Sequence, residues 1–354
     1  MKPQRLCAAF VALLTGFAAH ASEAPVKPVL QRPALLVSQP THAVLIDIAR
    51  AGERLVAVGE QGVIVLSDDY GKHWRQASVP VSVSLTAVSF PSAHQGWAVG
   101  HAGSILHTVD GGENWTLQLD GKVAAQRVLD AVLGDALASE RQLKVAQRFV
   151  ADGADKPFLS VHFSNDRQGT AVGAFGLIVH TDDGGQTWQS WVDRLDNPAG
   201  NHLYAVVSQG ERIYVTGEQG VLFASLDKGA HFKRLTTPYE GSFFAMNLAG
   251  NGDLLLVGLR GNAWRTQDQG LHWQSLHNPM QASLMAARAT NTGRVMLADQ
   301  AGRLLLSSRD DSQLRVQGQS TSSPVAALAQ AADGHWVVVG ARGVKRLDVQ
   351  GDKQ

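Results

Sequence analysis

Apolar and polar residues alternate along this chain in short runs, each cut within about ten residues by a glycine or an Asp-Gly pair. Period-two alternation predicts β-strands, and the Gly and Asp breaks predict tight turns between them. One phrase recurs: a small or apolar residue, Val-Gly-x-x-Gly, an apolar alternation, then Ser/Thr-x-Asp-x-Gly-x-x-Trp. It reads AVGEQGVIVLSDDYGKHW from Ala57, AVGHAGSILHTVDGGENW from Ala98 and AVGAFGLIVHTDDGGQTW from Ala171. Further copies start at Val215 and Leu256, and weaker ones at Leu297 and Val338. The first glycine of the phrase falls at 59, 100, 173, 217 and 258; Asp299 stands in its place in the sixth copy and Gly340 closes the series. Six steps separate these positions. Four are about 41 residues, one is 44 and one is 73, which marks a single insertion of about 32.

Each copy accommodates four strands. In the second they fall at 84–90, 96–101, 104–109 and 114–119. Four short strands per repeat, seven times over, predict an all-β chain: a seven-bladed β-propeller spanning residues 22–354, with one helical insertion after blade two. Stacked helical repeats are excluded, because the period is two and glycine interrupts every segment. The seventh copy has strands at 324–330, 335–341 and 343–349 and no fourth. The unassigned strand Ala34–Ser38 is therefore predicted to complete the last blade and hide an open sheet edge.

The insertion, 120–156, changes period. Between 122 and 150 it is rich in Ala, Leu, Gln and Arg, with apolar residues at helical spacing and no proline. One or two amphipathic helices are expected, broken at Gly134 or Ser139. Its place in the repeat puts it on the face that carries the Gly-x-x-Gly turns. Two roles stay open: a lid packed on the propeller, or a docking element for a partner.

At the start, Lys2 and Arg5 precede an apolar run from Leu6 to Ala19, followed by Ala19-His20-Ala21. This is the pattern of a secretory signal peptide over residues 1–21, so export is expected, to a periplasm or, if the source is photosynthetic, to a thylakoid lumen. The run is short for a membrane-spanning helix, which needs about 20 residues. Cys7 is the single cysteine of the 354-residue chain, which excludes a disulfide framework and a thiolate zinc site. Lys and Arg total 31, as do Asp and Glu, which argues against a dedicated nucleic-acid binder. No cofactor and no metal is implied, and a monomer is expected.

The aspartate turns carry a strong motif. They stand complete at Ser67/Asp69/Gly71/Trp74, Thr108/Asp110/Gly112/Trp115, Thr181/Asp183/Gly185/Trp188 and Thr266/Asp268/Gly270/Trp273. A fifth, Ser225/Asp227/Gly229/Phe232, exchanges one aromatic for another, and Ser307, Asp310 and Leu314 keep a trace. The carboxylate can accept backbone N–H groups of its own turn while the aromatic plugs the hairpin. Calcium binding would need six to eight oxygens, and each turn supplies one or two carboxylates. A structural role is the reading.

This turn resembles the Asp-box, or BNR, repeat. Together with the leader, the seven units and the Val-Gly-x-x-Gly phrase, it makes the chain similar to the photosystem II stability/assembly factor-like family. The likeness covers essentially the whole chain after the leader and is most specific at 98–115 and 171–188. It implies an exported, non-catalytic WD40/YVTN-like propeller that scaffolds the assembly or maintenance of a membrane complex by binding protein partners.

The Asp box also looks like that of sialidases, so the alternative is a sialidase-like hydrolase or a carbohydrate-binding propeller. A glycosidase needs two flanking carboxylates, or a tyrosine nucleophile with its acid partner. The innermost strands bring Asp47, His162, His202, Tyr204, Asn247 and Arg288 to the hub, with one carboxylate among them. Partner binding is instead placed on the face of the Gly-x-x-Gly turns. There Arg260, Arg303 and Arg342 on blades five to seven form a basic sector, with Glu60, Glu218 and His101 on other blades. Arginines of this kind suit carboxylates or phosphates.

Overall fold

The computed structural model describes residues 27–350 apart from 291, 309–311 and 319. The leader expected at 1–21 lies outside the described residues. Seven antiparallel sheets follow one another along the chain. Blade one is β1 (Leu45–Ala51), β2 (Arg54–Gly59), β3 (Ile64–Ser67) and β4 (Arg75–Gln76); blade two is β5 (Leu85–Ser89), β6 (Gly96–Gly100), β7 (Ile105–Thr108) and β8 (Thr116–Leu119). Two helices follow, α1 (Gly121–Gly134) and α2 (Glu140–Asp152). Blade three is β9 (Phe158–Phe163), β10 (Gly169–Gly173), β11 (Ile178–Thr181) and β12 (Gln189–Ser190). Blade four is β13 (Leu203–Gln209), β14 (Arg212–Gly217), β15 (Leu222–Ser225) and β16 (Lys233–Arg234). Blade five is β17 (Phe243–Leu248), β18 (Leu254–Gly258), β19 (Ala263–Thr266) and β20 (Gln274–Ser275). Blade six is β21 (Leu284–Ala289), β22 (Val295–Asp299), β23 (Leu304–Ser307) and β24 (Arg315–Gln317). Blade seven has three strands, β25 (Ala327–Gln330), β26 (His335–Gly340) and β27 (Gly343–Gln350). The seven-bladed propeller read from the repeats is the observed fold.

The repeated glycines have a packing reason. The backbone of Gly217 is extended, but a Cβ there would stand 1.9 Å from the carbonyl oxygen of His202, just ahead of β13. The same clash with the residue preceding the inner strand recurs at Gly59, Gly100, Gly173 and Gly258. The second glycine of the phrase differs. Gly220 takes φ +66°, which L side chains rarely adopt, and a Cβ would meet the Tyr239 oxygen at 2.1 Å.

Blades hold one another through apolar layers. Trp97 stacks on Phe163 of the next blade at 3.6 Å between ring centroids, inside a cluster that also takes in Val128, Val132 and Phe149 of the helices. Near the hub, side chains cross between blades: the Phe163 N–H donates to Ser89 Oγ, and the Thr86 hydroxyl donates to the Phe158 carbonyl. The Asp47 carboxylate accepts the Val88 N–H of blade two and is bound by Arg288 of blade six at 3.1 Å.

Ring closure departs from the expectation. Residues 34–38 form no strand on blade seven. The Ala34 N–H donates to the Val79 carbonyl, and the Val37 N–H donates to Gln76 Oε1. The segment thus spends its backbone groups on the outside of blade one, and among the described residues no strand covers the outer edge of β27. Blades seven and one meet through side chains instead. Val337, Val339, Ala327 and Ala329 pack with Leu45, Ile48, Leu55 and Val65, and the Arg346 guanidinium donates to the Tyr70 carbonyl at 3.0 Å. Apolar burial and this one side-chain hydrogen bond therefore make the join.

Candidate functional site

Three regions carry polar chemistry: the aspartate turns, the hub and the face of the Gly-x-x-Gly turns. In the turns one arrangement repeats. In blade one the Ser67 hydroxyl donates to Asp69 Oδ1, the Gly71 N–H donates to Ser67 Oγ, and the His73 N–H donates to Asp69 Oδ1. Thr108, Thr181, Ser225 and Thr266 repeat the first two bonds with Asp110, Asp183, Asp227 and Asp268 and with Gly112, Gly185, Gly229 and Gly270. Trp115 and Trp188 are buried; the indole N–H groups of Trp74 and Trp115 donate to Gly71 and Gly112, and that of Trp273 to Thr236. Phe232 packs against the Trp191 layer instead. The carboxylates' lone pairs are taken up by their own turns. Backbone N–H donation from His231 and His272, aided by their rings, lowers Asp227 and Asp268 to about 2.

The hub is a cavity of about 800 Å³ lined by the seven inner strands. Asp47, His162, Tyr204, Asn247 and Arg288 line it, whereas His202 stands above it and accepts the Phe175 N–H on Nδ1. Burial raises the pKa of Asp47 despite Arg288 beside it. Burial, then the Arg288 charge, lowers His162 to about 4, so its imidazole is neutral near pH 7 and bonded to Ser208. Asp47 is the one carboxylate among the described residues lining the cavity. Two acids flanking a scissile bond are thus not assembled there.

On the upper face, Glu60, His101, Arg260 and Arg342 are exposed. Two of the predicted residues are committed internally. Arg303 binds Asp299 through Nε at 2.7 Å, and Asp299 is fully buried, accepting the N–H groups of Ala301 and Arg303. Glu218 accepts the His202 N–H and the Tyr204 hydroxyl, which helps push Tyr204 up to about 12 after burial itself. The basic sector therefore reduces to Arg260 and Arg342.

The same face carries the helices. Asp120 caps α1, whose Ala124, Ala125, Val128 and Val132 are buried, and a Ser139–Gln142 capping box starts α2. Between α2 and the linker from blade three to blade four lies a groove of about 950 Å³. Val128, Val132, Phe149, Val192, Leu195 and Phe232 supply apolar surface. Lys156 closes one end, 5.5 Å from the Phe149 ring centroid and 5.4 Å from that of Phe175.

The model of the family described as "Photosynthesis system II assembly factor YCF48" matches residues 29–142 and 139–346. The chain belongs to this family. Within the YCF48 family, a "Photosystem II assembly lipoprotein Ycf48" of Synechococcus sp. (strain CC9902) is 28% identical over 174 residues, 46% of this chain and 43% of the relative. A "Photosystem II assembly protein Ycf48" of Synechococcus sp. (strain JA-2-3B'a(2-13)) is 27% identical over 189 residues, 49% and 47%. The chain spans about half the length of the curated relatives it matches. Among solved structures, "YCF48 bound to D1 peptide" superposes with a TM-score of 0.63 at 17% identity, covering 88% of this chain and 97% of that one. "YCF48 from Cyanidioschyzon merolae" does so with 0.63 at 16%, again covering 88% and 97%. At such identity the likeness is one of fold.

Sequence reasoning missed three features of this YCF48 family member. The residue four after each turn aspartate is a side-chain donor or partner: His73, Asn114, Thr187, His231 and His272 all reach the second carboxylate oxygen. That spacing was visible. So was Asp299 four residues before Arg303. The groove was signalled only by the longer step between the third and fourth copies, where the 192–200 linker adds its wall.

Proposed function

We propose that this chain is an exported, non-catalytic propeller that holds segments of protein partners while a membrane complex is assembled or maintained. The observation that carries the reading is the family match over nearly the whole described propeller, joined to a solved relative described as YCF48 bound to D1 peptide. The hub supports it from the other side: its single carboxylate is already bound by two backbone N–H groups and Arg288. Export is supported by the leader pattern and by a relative named a lipoprotein. No helix among the described residues is long and apolar enough to cross a membrane, so the partner would supply the membrane-embedded part.

A photo-crosslinker placed at Arg260 or Arg342 tests this in the native envelope. Capture of the same membrane-complex subunit from both positions is the expected result. Hydrolysis of a sialoside or other glycoside by the purified chain, abolished by Asp47→Asn, would replace the scaffold with the glycosidase reading.

A further inference from the structure

The helical insertion builds a groove whose two rims carry opposite charge. On the α2 rim, Arg141 has no acidic partner among the described residues, and Arg148 is 81% exposed with Asp152 3.6 Å away. On the linker rim, Asp193 and Asp196 have no cationic partner among the described residues. Arg194, between them in sequence, is turned away; it lies over the Trp191 ring and donates to the Gly229 carbonyl. At the closed end Lys156 is already neutralised by Asp152 and Asp155. Apolar surface is left open between the rims: Val145 is 45% exposed and Phe175 50%. Of α2 itself, only Ala146 and Phe149 are buried.

We propose that this groove holds an extended segment of a partner protein, with apolar side chains against Val145 and Phe175 and carboxylates facing Arg141 and Arg148. The spacing sets the pattern. Seven residues of helix separate the two arginines by about 10.5 Å, at about 1.5 Å per residue. A guest in the extended polyproline II form advances about 3.1 Å per residue with three residues per turn, so acids three positions apart fall on one side, about 9.3 Å from each other, and match the arginines. Asp193 and Asp196 repel carboxylates from the other rim, so the acidic edge of the guest lies along α2. A cavity of about 950 Å³ stands at the upper end of the range for small-molecule pockets, roughly 300–1,000 Å³, and so has room for several side chains of a guest. The assignment rests on the scaffold reading in one respect, that the guest is a protein segment. It adds where the segment lies and which chemistry selects it.

Fluorescence anisotropy tests it with two labelled ten-residue probes, one carrying Asp-Leu-Val-Asp-Leu-Val at its centre and the other Lys-Leu-Val-Lys-Leu-Val. The chain, full length after its leader, is expected to bind the acidic probe at least ten-fold more tightly. Arg141→Glu with Arg148→Glu should remove that preference while leaving the thermal midpoint unchanged. Val145→Asp, which keeps both arginines, should weaken the acidic probe about ten-fold. Equal binding of both probes, no binding of either, or unchanged binding by the double variant overturns the groove assignment. If the acidic probe instead responds to Arg260→Glu with Arg342→Glu, the groove fails and the scaffold reading stands.

Discussion

Thr108 shows what one hydroxyl does in an aspartate turn. It is buried, donates to Asp110 and accepts the Gly112 N–H, so Thr108→Ala leaves that N–H without its acceptor. The expected loss is about 1–2 kcal/mol, read as a shift of the urea midpoint with unchanged slope. The carboxylates add a pH signature. Asp227 and Asp268 sit at about 2, below the ordinary aspartate range, because backbone N–H groups and the paired rings favour the anion. A depressed folded value contributes stability that is complete above the unfolded value of about 3.9 and is lost as pH falls towards 2. The melting temperature should therefore fall between pH 5 and pH 2.5, and Asp227→Asn with Asp268→Asn should flatten that slope. An identical slope in the double variant would show that the turns do not titrate this way. These residues could be read from the sequence because the motif is local: donor, acceptor and glycine lie within five positions. For Arg303 the spacing to Asp299 was readable, but not that the acid would be fully buried and so hold the guanidinium inward.

At the scale of elements, α2 depends on its start. The Ser139 capping box satisfies N–H groups that the helix itself leaves orphaned, and only two side chains of α2 are buried. Ser139→Ala is expected to cost about 1 kcal/mol locally, seen as faster hydrogen exchange across 140–152 with the propeller strands unchanged. Equal exchange in both proteins would mean that packing alone holds the helix. The middle strands were legible as short apolar runs ended by glycine, because both of their faces are buried between neighbouring blades. The helices were legible as helices, but their partner surface was not: the linker wall belongs to another blade, and a pattern of apolar spacing says nothing about what it will face.

For the whole molecule, the decisive contacts join residues far apart in sequence. Arg288 reaches Asp47 across the hub, and Asp47 also holds the Val88 N–H, so one carboxylate ties three blades. Arg288→Met leaves that acid buried without its cation. The guanidinium is partly exposed, so the expected cost at pH 7 is about 1–2 kcal/mol rather than that of a dry pair. Burial already raises Asp47, and losing Arg288 raises it further, so acidification should shrink the deficit relative to the parent chain. A deficit that is constant from pH 7 to pH 4.5 would contradict this. At the join of blades seven and one, Val337→Ala should cost about 2 kcal/mol by opening space beneath Gly71. The count of blades was legible from the repeat, yet the manner of closure was not. Residues 34–38 read as a short apolar strand but find their partners at Gln76 and Val79. Mechanical load offers the sharpest consequence of this arrangement. A pull on the C-terminus in an optical trap meets β27, whose one strand partner among the described residues is β26, and peels it away bond by bond. Rupture should thus begin at the final blade and propagate backwards, leaving the helix-bearing half of the wheel intact longest.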